Sequence, residues 1–483
     1  MSYASLGYYA LLFVVVILYY VIPPKQRWIV LLVGSGLFYI LATKDILVIA
    51  VFLGTGIISY IGGISLEMKR RRRHRNKAWL WLFCLASAAP LLLSKTATVL
   101  RLGTVFNSLV IPLGVSFYSL QMVAYLVDIY RGKIDAQRNV LKYLLYISFF
   151  PIIIQGPISR YRQLYEEVTT GHLFDESKFV KGLQSVGGGL FLKMMIADRL
   201  AIVVSSIFDQ YPKYLLGSYA LLGGILFTVQ LYLDFLSCYM ISCGSAGLFG
   251  IRLPKNFNHP YLATSISDFW RRWHMSLSSW LRDYVYIPLG GNRKGKFRKD
   301  INILITFLLS GLWHCNSQNA FHFIVWGLMH AIYQIVGART RSLQRMAYDI
   351  LDMKNMSFAR LFVRRIFTCF FVVIAFIMFR AETTLAGIQM IVSIFTVWNP
   401  WVWSDGSLLQ LGLDWPDIIV LAMSLTVAIK VFRIAEKIDI GEWILSQHIW
   451  IRWNIYLAVI VAIWIFGVYG YEFEASAFIY GGF

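Results

Sequence analysis

DILVIAVFLGTGIISYIGGIS, residues 45–65, is followed almost at once by KRRRRHRNK, residues 69–77. The first run carries no charged residue after Asp45 and is long enough to cross the hydrocarbon core of a bilayer as a helix. The second run holds seven basic side chains, and cytoplasmic loops of membrane proteins are enriched in Lys and Arg. The pair predicts a membrane-spanning helix whose C-terminal end faces the cytoplasm.

The composition of the whole chain agrees with this segment. Of 483 residues, 58% are hydrophobic and only 14% are charged, whereas soluble domains are about 25% charged. Soluble and disordered classes are therefore excluded, and the long unbroken apolar runs favour helices over the alternating strands of a barrel. We interpret the formal net charge of +20 as an excess of cytoplasmic Lys and Arg and expect no binding to nucleic acid.

We predict an all-α polytopic membrane protein with a single membrane domain over residues 1–483. The candidate spans are 6–23, 28–43, 45–65, 78–94, 105–127, 140–158, 180–205, 215–238, 301–313, 320–337, 361–380, 385–398, 416–432 and 450–470. Some are too short to cross, so we expect about 11 transmembrane helices plus re-entrant or interfacial helices. The first span lacks a basic n-region and a cleavage site, which predicts a retained helix.

The basic loop, residues 66–77, sets the predicted orientation. Counting back three crossings from it puts the N-terminus outside, and Lys25 and Arg27 inside. Counting forward puts Arg131, Lys133, Arg138 and Lys142 inside as well. We interpret the loop as a topology anchor, with binding of anionic lipid headgroups as the alternative.

Residues 252–300 break the pattern, because this stretch is long, polar, aromatic and basic. Closely spaced Trp, Tyr and Arg residues are typical of helices that lie along or dip into the cytoplasmic interface. An elaborate segment between short spans is where a functional site is expected. The helices of residues 301–338 follow it directly.

Two histidines mark candidate chemistry. His314 ends the apolar run 301–313, and an ionisable group at membrane depth is a functional candidate; a hydrogen-bonded histidine at a helix end explains the spacing equally well. His274 lies 40 residues earlier, in DFWRRWHMSLSSW, where it is either functional or an interfacial anchor. If this segment is one helix, Trp270 and His274 share a face.

Other chemistries have less support. His322 and His330 are eight residues apart on one helical face, but no carboxylate or cysteine completes a ligand set, so we expect no metal. The sequence contains neither a phosphate-binding GxxxxGK[ST] loop nor a GxSxG elbow. The five cysteines are interpreted as packing residues.

The chain resembles the membrane-bound O-acyltransferase family, in particular the bacterial branch that acetylates exported polysaccharides such as alginate. The motifs that carry this resemblance are NFNHPY (256–261), DFWRRWH (268–274), WLRDYVYIPLGGNR (280–293) and SGLWH (310–314), with further stretches at 112–132, 148–161, 189–200, 376–382 and 478–480. The chain departs from the family pattern at Cys315, at residues 316–319 and at DFLSCYMIS (234–242).

The resemblance implies an O-acyltransferase with a central tunnel, in which His314 is the catalytic general base and His274 assists. Cations attract the anionic phosphates of CoA, and nearby Arg and Trp side chains can supply hydrogen bonds. We therefore expect these residues to bind substrate: Trp270, Arg271, Arg272, Trp273, Arg282 and Trp313. The donor is then acetyl-CoA or another cytoplasmic acyl thioester, with acetyl as the expected group and no bound cofactor. A separate extracytoplasmic SGNH-hydrolase-like partner would pass the acyl group to an exported polysaccharide.

The implied location is the bacterial cytoplasmic membrane, in contact with membrane lipids. Two alternatives remain open. One is D-alanyl transfer to teichoic acid from a carrier-protein thioester. The other belongs to a different class, a transporter of lipid or polymer precursors, although the few carboxylates near the spans argue against coupled transport.

Overall fold

The structure is a computed structural model that describes residues 3, 5–74, 76–99, 112–210, 216–315, 321–353 and 357–469. These residues fold into α-helices with short 3₁₀ and π segments, and none of them forms a strand. The predicted all-α class is confirmed.

The helices of the first half are α1 (Leu6–Val21), α2 (Arg27–Thr43), α3 (Ile46–Arg71), α4 (Lys77–Val99), α5 (Val115–Arg131), α6 (Val140–Ser148), α7 (Tyr161–Thr170), α8 (Glu176–Phe191) and α9 (Asp198–Phe208). A π-helical stretch, Leu192–Ala197, joins α8 to α9. Helix α3 extends through the first part of the predicted basic loop, so only residues 72–76 separate it from α4.

The second half contains α10 (Gly217–Gly247), α11 (Ile266–Arg272), α12 (Met275–Leu281), α13 (Gly295–His314), α14 (Phe321–Arg339), α15 (Arg341–Ile350), α16 (Phe358–Arg380), α17 (Thr384–Thr396), α18 (Trp415–Ala435), α19 (Ile440–Ser446) and α20 (Ile449–Phe466). The predicted interfacial segment is thus two short helices, followed by a π-helical turn at Arg282–Tyr286.

Within the described residues, eight helical segments are long and apolar enough to cross a membrane. They are Pro24–Thr43, Ile46–Arg71, Lys77–Val99, Gly217–Gly247, Phe321–Arg339, Phe358–Arg380, Trp415–Ala435 and Ile449–Phe466. Leu6–Val21 and Thr384–Thr396 are apolar but shorter. The chain is therefore a multi-pass membrane protein, although the predicted count of 11 crossings is not confirmed.

One predicted span is wrong as a single helix. Residues 140–158 are helical only over Val140–Ser148, and the chain then turns through residues 149–156. Pro151 and Pro157 lack the backbone N–H that a helix interior needs, and they remove the option of continuing the helix.

Polar contacts gather the basic segments at one end of the helix bundle. Arg70 of α3 pairs with Asp135, and Glu67 accepts from Arg138 at 2.7 Å. The hydroxyl of Tyr284 donates to Asp128, near the end of α5, at 2.7 Å. Residues 67–71, 128–138 and 282–286 therefore share one end of the bundle, as the charge pattern predicts. We call it the basic end.

Helices α13 and α14 cross at two glycines. A Cβ atom at Gly311 would come within 2.5 Å of the carbonyl oxygen of Phe323, and one at Gly327 would meet the carbonyl oxygen of Phe307. Only glycine allows the two backbones to approach this closely. Arg339 of α14 pairs with Asp300 of α13 at the basic end. The two helices are therefore held together both at the glycine crossing and at the basic end.

Candidate active site

His314 is the last residue of α13, far from the basic end. With a rise of about 1.5 Å per residue, it lies roughly 20 Å along the helix from Asp300. Its side chain is only 2% exposed. The centre of the imidazole lies 4.7 Å from the Trp313 ring, 5.2 Å from the Trp326 ring and 5.4 Å from the Phe379 ring. The candidate base is therefore enclosed by aromatic rings.

A lysine from a distant helix lies beside this histidine. The ammonium group of Lys95, near the end of α4, donates to the carbonyl oxygen of Cys315, the residue that follows His314. The two residues are 220 positions apart in the sequence. This bond ties α4 to the end of α13 and brings one positive charge next to the imidazole.

The prediction that Trp270 and His274 share a helical face is wrong. Helix α11 ends at Arg272, Trp273 is extended, and His274 has a left-handed backbone with φ 42° before α12 begins. The break sends the two side chains in different directions. Trp270 contacts His330, whereas the His274 ring lies 4.8 Å from the Phe235 ring of α10.

Asn256 accounts for the break. Its carbonyl oxygen accepts from Met275 N at 2.8 Å, and its Oδ1 accepts from Ser276 N at 3.1 Å. The Ser276 contact identifies Oδ1 as the oxygen of the amide, so His274 Nδ1, 3.2 Å from the same oxygen, must carry a proton. In the neutral imidazole, Nε2 is then the acceptor nitrogen.

The structure brings His274 and His314 together on one tryptophan. The Trp313 ring lies 6.2 Å from the His274 ring and 4.7 Å from the His314 ring, and its Nε1 donates to Ser116 O at 3.2 Å. His274 is 1% exposed, so both imidazoles are buried. Two histidines 40 residues apart thus form one site.

A cavity of about 410 Å³ leads towards this site from the basic end. Its lining includes three of the predicted substrate-binding residues: Trp270, Arg271 and Arg282. It reaches Met275, next to His274, and Ser310, which is one helical turn before His314 and on the same face. The cavity therefore connects a basic surface with the neighbourhood of both histidines.

The other three predicted residues do not belong to the described lining of the cavity: Trp313, which contacts both histidines, and Arg272 and Trp273. Arg272 pairs with Asp268 at 3.2 Å. Trp273 is 1% exposed and packs in an aromatic core, where its ring lies 5.5 Å from Phe269 and 5.3 Å from Phe257. The contacts of Arg272 and Trp273 therefore hold the segment in place.

The π-helical turn that carries Arg282 is anchored by its neighbour Tyr284. The guanidinium groups of Arg160 and Arg131 lie 4.6 Å and 5.4 Å from the centre of the Tyr284 ring. Burial raises the pKa of Tyr284, so its hydroxyl remains a neutral donor to Asp128. This anchor fixes the basic rim of the cavity against α5.

Sequence reasoning missed several residues of the site. Lys299 and Arg341 add two more cations to the cavity lining, and Lys95 and Asn256 position the two histidines. The basic run at 293–299 signals Lys299, and Asn256 begins the motif NFNHPY, although its contact with His274 is not predictable from that motif. Nothing local signals Lys95, because its contact joins distant segments. His322 and His330 lie on α14 as predicted, and no group of three potential metal ligands occurs among the described residues.

The structure describes two of the three places where the chain departs from the family pattern, Cys315 and residues 234–242. Cys315 is fully buried, and its Sγ contacts the Gly311 carbonyl oxygen at 3.5 Å. In the stretch 234–242, Asp234 pairs with Lys193 at 2.7 Å in the core. Residues 316–319 and the C-terminal motif at 478–480 lie outside the described residues.

Comparison with known proteins identifies several relatives of this chain. A probable alginate O-acetylase AlgI of Pseudomonas putida is 35% identical over 324 residues, covering 66% of this chain and 63% of the relative. A peptidoglycan O-acetyltransferase of Helicobacter pylori is 35% identical over 250 residues, 46% of this chain and 47% of the relative. A teichoic acid D-alanyltransferase of Bacillus subtilis is 30% identical over 266 residues, 52% of this chain and 66% of the relative.

The chain thus spans about 63% of the length of the Pseudomonas putida relative. The family model for membrane-bound O-acyltransferases matches residues 134–381, which contain both histidines and every residue of the described cavity lining. Since this match covers just over half of the chain, the protein belongs to the membrane-bound O-acyltransferase family.

Proposed function

We propose that this protein transfers an acyl group, with acetyl as the first choice, from a cytoplasmic thioester across the membrane for O-acylation of an exported polysaccharide. One observation carries the proposal: the cavity with a basic rim ends one helical turn from His314, and His314 shares Trp313 with His274. A donor can enter from the basic end and place its thioester near two imidazoles.

In this proposal His314 is the general base. It takes the proton of the acceptor hydroxyl while the hydroxyl oxygen attacks the thioester carbonyl carbon. The tetrahedral intermediate then collapses, the C–S bond breaks, and the proton passes from His314 to the departing thiolate. His274 assists through Nε2, the nitrogen left to accept a hydrogen bond once Nδ1 is committed to Asn256. The reaction consumes no net proton.

The charge of the cavity rim supports a phosphorylated donor. Arg271, Arg282, Lys299 and Arg341 line the cavity, and clustered cations attract anionic ligands and raise their local concentration. The phosphates of CoA have the matching charge. This rim shares the basic end with the run 69–77, which supports a cytoplasmic entrance and an N-terminus outside, in a bacterial cytoplasmic membrane.

The second candidate is D-alanyl transfer to teichoic acid from a carrier-protein thioester. The relative from Bacillus subtilis, named a teichoic acid D-alanyltransferase, favours it. The two candidates share the site and differ in the donor. In both, an extracytoplasmic SGNH-hydrolase-like partner or the polymer itself provides the accepting hydroxyl. A precursor transporter, the alternative from another class, predicts an activity that survives the loss of both histidines.

The deciding experiment compares donors. Purified protein is incubated with acetyl-CoA or with a D-alanyl carrier-protein thioester, and acyl transfer to water-soluble glycan acceptors is measured by mass spectrometry. In parallel, surface polysaccharide from a deletion strain is analysed for lost acyl groups. We expect loss of O-acetyl groups and use of acetyl-CoA. An unchanged polysaccharide, with neither donor consumed, contradicts the proposal.

A further inference from the structure

His330 is a buried histidine that the proposed reaction does not use. It lies in α14 with none of its surface exposed. The indole N–H of Trp270 donates to its Nδ1 at 3.3 Å. The Trp326 ring lies 5.2 Å from the His330 ring and also 5.2 Å from the His314 ring. His330 therefore connects the wall of the cavity to the surroundings of the catalytic candidate.

The donor in this hydrogen bond fixes the protonation of His330. An indole nitrogen can only donate, so Nδ1 must offer its lone pair, and the neutral ring carries its proton on Nε2. Protonation of Nδ1 would break the bond to Trp270. Trp270 lines the cavity and His330 does not, so the imidazole acts on the cavity through the indole.

The remaining contacts of Trp270 hold its ring without fixing its rotation. The ring packs at 5.3 Å against Phe307, 5.6 Å against Phe269 and 5.7 Å against Trp326. Aromatic contacts tolerate several ring orientations, whereas a hydrogen bond to one nitrogen selects one. A half-buried tryptophan beside a cavity can otherwise turn into it.

We propose that His330 is a positioning residue that holds the Trp270 indole as a fixed wall of the donor cavity. The wall is the surface along which the extended thioester arm of the acyl donor lies on its way to His314. This inference rests on the proposed function for the identity of the ligand. It assigns His330 to donor binding, and it predicts an effect on the donor KM that exceeds the effect on kcat.

Two substitutions at position 330 separate positioning from structure. His330→Phe keeps a ring of similar size but removes the acceptor. His330→Asn places an amide oxygen close to the former position of Nδ1 and so restores an acceptor. We expect His330→Phe to raise the KM for acetyl-CoA by roughly five- to tenfold, the range for one lost hydrogen bond. His330→Asn should have a KM close to that of the wild type.

The partner residue provides a double-mutant cycle. Trp270→Phe removes the donor of the same bond, so the variant with both substitutions should have the donor KM of the worse single variant. His322→Phe is the matched control, because it makes the same change two turns earlier on α14, at a residue outside the cavity lining. Its donor KM should equal that of the wild type. Additive effects of Trp270→Phe and His330→Phe would overturn the inference.

A second readout does not depend on acyl transfer. Ser267 lines the cavity three residues before Trp270, so Ser267→Cys in a background without native cysteines reports the cavity wall through its rate of maleimide alkylation. We expect His330→Phe to change this rate severalfold and His330→Asn to leave it near the wild-type rate. An unchanged rate in His330→Phe overturns the inference. Absence of thioester consumption by the wild type contradicts only the proposed function.

Discussion

His274 and His314 pack against the same indole ring, although 40 residues and three helix boundaries separate them in the chain. His314 takes its position from α13 and His274 from a left-handed turn bound to Asn256. The two candidate catalytic groups can therefore be changed one at a time, which makes the following tests informative.

His314→Ala should abolish acyl transfer while the protein still inserts and folds. Loss of a general base typically reduces a rate by about 10²–10⁴-fold. His314→Gln serves as the control that keeps the volume and a hydrogen-bonding group. Transfer rates and thermal unfolding of the purified variants in detergent provide the measurement. Wild-type transfer by either variant would remove His314 from the mechanism.

His274 needs a substitution that suits its backbone. At φ 42°, Asn is tolerated much better than Ala or Gln, so His274→Asn tests the chemistry without added strain. We expect His274→Asn to unfold at the wild-type temperature and to lose transfer by a factor on the order of 10². His274→Ala should also lose stability. If His274→Asn is fully active, the residue only supports structure.

Lys95→Met should reduce transfer and lower the unfolding temperature. The change keeps the alkyl chain but removes the donor to the Cys315 carbonyl, and the loss of a partner for a buried acceptor costs about 1–3 kcal/mol. Lys69→Met removes the same charge at the basic end, where Lys69 lies over the Trp79 ring, and should leave transfer unchanged. Equal effects of the two substitutions would mean that only total charge matters.

Arg341 at the rim of the cavity and Arg272 outside its lining form a matched pair of arginines. Arg341→Gln should raise the KM for acetyl-CoA by about tenfold and weaken its dependence on salt, because Arg341 lines the cavity. Arg272→Gln removes an arginine that pairs with Asp268 outside the lining and should leave the donor KM unchanged. The measurement is the KM for acetyl-CoA of both variants and of the wild type at two salt concentrations. A larger effect of Arg272→Gln than of Arg341→Gln would contradict the assignment of donor binding to this cavity.

The orientation is tested by cysteine labelling in a background without native cysteines. Asn76→Cys lies between α3 and α4, and Lys44→Cys lies between α2 and α3, one crossing away. An impermeant maleimide applied to intact cells should label position 44 and not position 76. The reverse pattern would invert the topology and place the basic rim outside.

Much of this architecture is predictable from the sequence, and the limits have physical causes. Apolar runs identify the long helices, because crossing a bilayer needs continuous hydrophobic length. The sequence identifies His314 as a candidate because an imidazole at the end of such a run is costly to bury. The break at Trp273 and His274 is not predictable, since it is stabilised by Asn256, 18 residues earlier, and no Gly or Pro marks it. Lys95 is missed for the same reason.

The crossing of α13 and α14 has a consequence for the size of the acyl group. The inner end of the cavity, at Phe307 and Ser310, lies beside Gly311 and Gly327, where the two backbones touch. At this crossing the two helices are in backbone contact, and a backbone cannot swing aside as a side chain does by changing its rotamer. A variant that accepts longer acyl chains would therefore have to move a whole helix, so selectivity for a small acyl group would be built into the spacing of the backbone itself.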